Sequence, residues 1–189
     1  HYENITSEPH AIVVKNINPY LVEGEDLFLE NRKRPICNVP EINYGSFALD
    51  DGNYTLSVEE RNDIVMSSPL ADKYIKPFIG GRELLHNEKR YCIWLLNSSP
   101  SEIKTIVKIW NRVDAVRKWR HSSNRLTTKR LAETPAIFAE IRQPNTSYLA
   151  FPTISSVNRT YIPIAFVDQN TIASNQLYII PKANLFSFG

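Results

Sequence analysis

Between Ser99 and Pro135 the chain specifies a helix more firmly than it specifies anything else. Ser99-Pro100-Ser101-Glu102 joins a capping hydroxyl, a proline at the first helical position and a glutamate three residues after the cap. Beyond it, apolar side chains recur at Ile103, Ile106, Val107, Trp110, Val113 and Val116, the spacing of one helical face. The pattern predicts a long helix from residue 102 to about Ala132, with a break near His121-Ser122-Ser123, stopped by Thr134-Pro135. Charge is concentrated in the same place. Residues 102–130 hold nine Lys and Arg against two acids, whereas residues 1–101 hold ten against fifteen. A net charge of +2 therefore conceals one strongly positive segment, made of Lys104, Lys108, Arg112, Arg117, Lys118, Arg120, Arg125, Lys129 and Arg130, with Trp110 and Trp119 inside it.

The flanks read differently. The first fifty residues are rich in turn formers (Asn18-Pro19, Arg34-Pro35, Val39-Pro40, Asp51-Gly52), with short strands such as 11–14 between them. Ser57-Val58-Glu59-Glu60 is a capping box that opens a helix ending near Met66, and Ser68-Pro69 starts a second, short one. Residues 75–81 read as a turn, and Tyr91-Cys92-Ile93-Trp94-Leu95-Leu96 as a strand. After Ala136 the chain reads as β, with strands expected over 137–141, 148–151, 161–166 and 177–180. The expectation is one mixed α+β domain over 1–189, a mainly antiparallel β region beside a long basic amphipathic helix.

Composition narrows the functional classes. With 42% hydrophobic and 22% charged residues the chain can bury a core. No apolar run approaches the roughly 18–20 residues that cross a bilayer, so no membrane role is expected. Two cysteines, Cys37 and Cys92, are too few and too far apart for a disulfide framework or a zinc site, which suits a reducing, cytoplasmic setting. The opening His1-Tyr2-Glu3-Asn4 lacks an initiator Met and suggests a fragment. Catalysis finds little support. The four histidines, His1, His10, His86 and His121, have no ligand spacing, and the six glycines form no phosphate loop. Asp50-Asp51 fits a turn and Glu59-Glu60 a helix N-terminus. Asn18-Pro19-Tyr20 is like the Asn-Pro-Pro-Tyr of adenine methyltransferases but lacks the second proline and a preceding glycine-rich loop.

Nucleic-acid binding fits better. Clustered cations displace condensed counterions from phosphates. The β region adds Arg142-Gln143, Ser155-Ser156, Arg159 and Ser174-Asn175-Gln176 at strand ends and loops. Arg suits guanine, and Asn or Gln suits adenine, in the major groove. The same residue types also favour turns, so a solvated helix face with ordinary loops is the competing explanation.

An ordered series of segments adds to this. Tyr74-Ile75-Lys76-Pro77-Phe78-Ile79-Gly80, Arg90-Tyr91-Cys92-Ile93-Trp94-Leu95, Leu131-Ala132-Glu133-Thr134-Pro135 and Phe138-Ala139-Glu140-Ile141-Arg142-Gln143-Pro144 come first. Ser155-Ser156-Val157-Asn158-Arg159-Thr160-Tyr161-Ile162-Pro163-Ile164, Ile172-Ala173-Ser174-Asn175 and Leu185-Phe186-Ser187-Phe188-Gly189 follow. Together they resemble the target recognition domain of MmeI-like restriction–modification enzymes, related to bacterial adenine-specific DNA methyltransferases.

The resemblance implies a non-catalytic piece of a longer polypeptide. It implies double-stranded DNA and a methyltransferase core as partners. It places S-adenosylmethionine in that core and Mg in any nuclease domain, with no cofactor or metal in this piece, and a helical segment after Gly189. By residue type and family position, Arg142, Gln143, Ser155, Arg159, Ser174 and Asn175 are expected to read bases. Arg120, Ser123, Arg125, Lys129 and Arg130 are expected to hold phosphates. The rival expectation is a protein-interaction module docking onto the methyltransferase core or another partner.

Overall fold

The computed structural model describes residues 11–28, 30–32, 36–37 and 39–185. Two compact units emerge, His1–Asn38 and Val39–Gly189. In the first, residues 11–14 form no strand, and the one pairing among the described residues is a bridge between Ile17 and Glu23. Asn18 closes that turn by accepting the N–H groups of Tyr20 (3.0 Å) and Val22 (3.3 Å). Asn18-Pro19-Tyr20 is thus an Asx-type turn, which accounts for its composition without catalysis.

The second unit is mixed α+β and built on two four-stranded sheets. One has the order β1 (Asn43–Tyr44), β8 (Leu177–Pro181), β5 (Tyr148–Pro152), β6 (Ala165–Val167), antiparallel throughout. The other runs β2 (Thr55–Leu56), β4 (Tyr91–Ile93), β3 (Ile75–Ile79), β7 (Ile172–Ala173), with β3 and β7 parallel. Pro77 falls where β3 leaves β4 and begins to pair with β7, so the ladder loses no donor that it needs. The turn expected over 75–81 is therefore a strand. Gly80-Gly81 opens a short helix, α2 (Gly81–His86), because Glu83 accepts the Gly80 N–H at 2.7 Å and pairs with Arg90 at 2.9 Å.

The capping box at Ser57 forms as the sequence demands. Ser57 Oγ accepts from Glu60 N and Glu60 accepts from Ser57 N, opening α1 (Val58–Ser67), and a 3₁₀ turn over Pro69–Tyr74 follows. The long basic helix does not form as one piece. It divides into α3 (Pro100–Thr105), α4 (Val107–Ser122) and α5 (Leu126–Arg130). At the first break the Thr105 hydroxyl donates to the Glu102 carbonyl at 2.7 Å, the acceptor Ile106 N–H would use in a continuous helix. Ile106 turns to Ile103 O instead, with non-helical backbone. The second break is the expected one, where Ser123 is extended and its Oγ accepts Arg125 N.

The break at Ile106 resets the helical phase. Val107 is left 64% exposed, while Ile109, Val113 and Val116 are fully buried, each contributing roughly 1.5–3 kcal/mol. They join Tyr54, Leu56, Ile93 and Phe138 in the main core. A smaller core of Tyr148, Ala150, Val167, Ala173, Leu177 and Ile179 lies under the first sheet. Cys92 is buried in β4, and burial pushes its thiol pKa up. The strand expected over 137–141 is irregular, with one bridge from Phe47 to Glu140, and the one expected over 161–166 shortens to β6. Among the described residues no helix is long and apolar enough to cross a membrane.

Candidate nucleic-acid interface

At the end of the first sheet where β5 leaves and β8 enters, several backbone segments meet. Ser46 bridges to Ser174, Gly45 N donates to Leu177 O, and Thr153 donates through N–H and hydroxyl to Gln176 O at 3.0 and 3.1 Å. Gly45 is required there: a Cβ would stand 2.2 Å from Ser174 O and 2.6 Å from Ala173 O. The corner opens on a cleft of about 350 Å³ lined by Ser46–Asp51, Phe78, Arg90, Trp119 and Ser174–Gln176. One wall carries the left-handed residues Leu49 (φ 50°), Asp51 (φ 53°) and Gly52 (φ 76°), of which the two non-glycine positions are strained. Asp50 holds this turn by accepting Tyr54 N at 2.5 Å.

Arg120 is the fastener of that wall. It is fully buried at the end of α4, and its guanidinium donates to five carbonyls: Leu49, Leu131, Thr134, Ala48 and Ile137, at 2.9–3.1 Å. The expectation that it holds a phosphate is corrected. Every donor arm points inward, and position 120 continues the buried spacing 109, 113, 116. Burial lowers its pKa, but a guanidinium satisfied this way remains charged. Tyr54, whose hydroxyl donates to Pro135 O, ties the same segments together.

Most of the other cations near α4 are also committed. Lys108 pairs with Asp63 at 2.6 Å, Arg112 with Glu60 at 2.6 Å, and Lys118 with Asp114 at 2.7 Å. Lys104 and Arg117 lie over the Trp110 ring at 5.5 and 5.7 Å. Three remain: the side chains of Arg125, Lys129 and Arg130, exposed on and beside α5, have no ion pair among the described residues. Ser123 sits between Trp119 and these cations, its Oγ shaping the turn into α5. His121 is exposed beside them, His86 ends α2, and His1 and His10 lie outside the described residues.

The expected base readers divide in the same way. Gln143 is a fold residue: its amide donates to Gln169 O (3.0 Å) and Thr171 O (2.8 Å) and accepts Ala173 N (3.3 Å). Ser174 is 5% exposed and caps the β7–β8 turn by accepting Gln176 N. Gln143 has its amide committed at both ends, which corrects that expectation, while Ser174 lines the cleft with little exposed surface. Arg142 is half-buried, paired with Glu140 and donating to Gly45 O at 3.2 Å, so it braces the corner. Ser155 and Arg159 are exposed on the β5–β6 connection, and Asn175 is exposed on the cleft. Sequence reasoning named Gln176 among the polar residues of the β region without placing it among the base readers, and it missed Arg90, whose Nε is buried without a hydrogen-bond partner; Gln176 Oε1 would lie 2.5 Å from a Cβ at Gly80. Both line the cleft, and no local pattern distinguishes them. Among the described residues no group of three or more His, Cys, Asp or Glu is placed to hold a metal.

A second groove, of about 680 Å³, runs between the Leu95–Ser98 loop, α3, Trp110, Arg117 and Glu133–Ile137.

Comparison with known proteins agrees with this architecture. The chain is 42% identical to a solved structure of the Type IIL restriction-modification enzyme MmeI in complex with DNA, with a TM-score of 0.82 over 99% of this chain and 25% of that one. It is 32% identical over 177 residues to DNA methyltransferase A of Bacillus subtilis (strain 168), covering 94% of this chain and 20% of that protein. The chain thus spans a fifth to a quarter of the length of these relatives. The family model described as "MmeI, target recognition domain" matches residues 23–189. On a match of that extent, the chain belongs to the family of MmeI target recognition domains.

Proposed function

We propose that this chain reads the base sequence of double-stranded DNA for a longer bacterial restriction–modification methyltransferase. The observation that carries the reading is the sorting of charge. Six of the nine cations in the basic segment have a partner within the fold, Arg120 buried and the others in ion pairs or over Trp110. The three that have none among the described residues stand together around α5, following Trp119 of the cleft wall. Arg125, Lys129 and Arg130 neutralise phosphates and set register, with Ser123 beside them. Arg159 and Ser155 on the β5–β6 connection and Asn175 on the cleft reach base edges, arginine suiting guanine and asparagine suiting adenine. That the similar MmeI was solved with DNA supports this reading.

In this reading the parent is an S-adenosylmethionine-dependent DNA adenine methyltransferase that turns its target adenine out of the stack, whether or not a nuclease domain accompanies it. Gly80-Gly81 opens α2, and this reading assigns S-adenosylmethionine no role for the residues of this chain. The cofactor, and any Mg, belong to other parts of the polypeptide. The methyltransferase core is the second partner. The groove at Trp110, apolar in its floor with Lys104 and Arg117 over the indole, favours such a protein contact alongside the DNA contact. The setting is cytoplasmic.

Selection from a randomised duplex pool, followed by sequencing, tests the proposal. A discrete consensus after a few rounds is the expected result. Enrichment no different from that of a protein-free control overturns it.

A further inference from the structure

Polar base readers leave one feature of the corner unexplained. Residues 153–164, which join β5 to β6, expose Ile154 (83%), Val157 (100%), Tyr161 (85%) and Ile162 (57%). The same twelve residues contain one cation, Arg159, and no acid. The tip is a hydrogen-bonded turn, in which Arg159 N donates to Ser156 O at 3.1 Å and Asn158 N to Ser156 Oγ at 3.2 Å. Val157 occupies the second position of that turn with its side chain wholly in solvent. The base of the connection is fixed by Thr153 on Gln176 O and by the Ala150–Ala165 pairing. An apolar cluster held out on such a support marks a contact surface.

We propose that Val157 is a specificity-determining residue that contacts the 5-methyl group of a thymine in the major groove. This rests on the DNA-reading function above. Two observations select that occupant. A tip without acids and with Arg159 beside it complements the phosphates that flank a groove. The connection is irregular and tipped by a turn, a projection that the major groove, about 12 Å wide, admits more readily than the minor groove, about 6 Å wide. On the major-groove edges of the bases, the apolar mark is the thymine methyl. Valine at the head of a turn offers two methyl groups on a stiff side chain, at little conformational cost. Arg159, two residues on, lies within reach of the adjoining base pair or phosphate.

The test uses a duplex recovered by selection, with each thymine replaced in turn by deoxyuridine, which removes the methyl group alone. Replacement at one position is expected to weaken wild-type binding about fourfold, the effect of one buried methyl group, and replacement elsewhere to do nothing. Val157→Ala is expected to weaken binding to the thymine duplex by a similar factor and to bind the thymine and deoxyuridine duplexes alike. Because Val157 is fully exposed, the variant folds, which an unchanged Tm checks. Three results overturn the inference: wild type indifferent to every replacement, a selected site with no A·T pair, or a Val157→Ala protein that still distinguishes the two duplexes. In the first case the apolar tip belongs to a protein contact. Failure to bind any duplex would instead remove the DNA-reading function, and this inference with it.

Discussion

Replacing Arg120 with methionine separates a residue that builds the interface from one that touches DNA. Methionine keeps most of the apolar stem volume and removes all the donors. Of the five carbonyls that Arg120 serves, three have another backbone donor: Leu131 O from Thr134 N, Thr134 O from Ile137 N, and Ala48 O from Ala139 N. Leu49 O and Ile137 O have no second donor among the described residues. Each carbonyl orphaned in the interior costs about 1–3 kcal/mol, and relief of the buried charge offsets part of that. The expected loss is therefore about 2–4 kcal/mol, which for a chain of this length lowers Tm by roughly 4–16 °C. The assay is a thermal melt followed by circular dichroism, paired with duplex binding over a salt series well below Tm. The folded variant should retain the wild-type salt slope, because Arg120 contacts no phosphate. A Tm within about 1 °C of wild type, together with a salt slope reduced by about one unit, would refute the reasoning.

Lys129→Ala with Arg130→Ala should weaken all duplexes alike and flatten the salt slope by about 2, measured by fluorescence anisotropy; an unchanged slope would remove both from the phosphate set. Arg159→Ala should relax preference at one base pair by about 1–3 kcal/mol, read by repeating the selection. Equal weakening of all sequences would make Arg159 a phosphate contact. Gly45→Ala should abolish stable folding or lower Tm by more than about 10 °C, because its Cβ would meet backbone rather than a movable side chain. Glu60 has a pKa below its ordinary 4.5, held down first by the Ser57 N–H and then by Arg112. A depressed carboxylate contributes stability above its unfolded pKa and loses it as pH falls through the folded one. Tm should therefore fall as pH drops below about 4.5, and Glu60→Gln should reduce that dependence; an identical pH profile would contradict it.

What could be read in the sequence was what local chemistry dictates. Ser57 and Glu60 satisfy each other's backbone, so α1 begins where the sequence places it. Pro152 and Leu177 bound strands whose apolar residues fill the smaller core, so β5 and β8 were also legible. Two-residue strands such as β2 and β7 carry no periodicity of their own and exist because longer partners supply their ladders. The helix phase was lost at Ile106, whose N–H turns to Ile103 O with non-helical backbone, a change no apolar pattern reveals.

The candidate site was half legible. Charge density located the basic segment, but charge alone does not say which cations a fold consumes. Arg120 held the clue in its spacing from Val116 and Val113, where an arginine on a buried stripe must find interior acceptors. Gln143 and Ser174 have the residue types that read bases, yet the same donors and acceptors close turns. For Gln143 only its tertiary partners, Gln169, Thr171 and Ala173, decide between the two uses, whereas Ser174 makes a local turn bond to Gln176 N.

The central claim is that this domain binds duplex DNA through the unpaired cations around α5. The most direct test is duplex binding by fluorescence anisotropy between about 50 and 200 mM salt. With Arg125, Lys129 and Arg130 on phosphates, log Kobs should fall against log salt with a slope of about −2.7 or steeper. A slope near zero, or no binding at the lowest salt, would contradict the account.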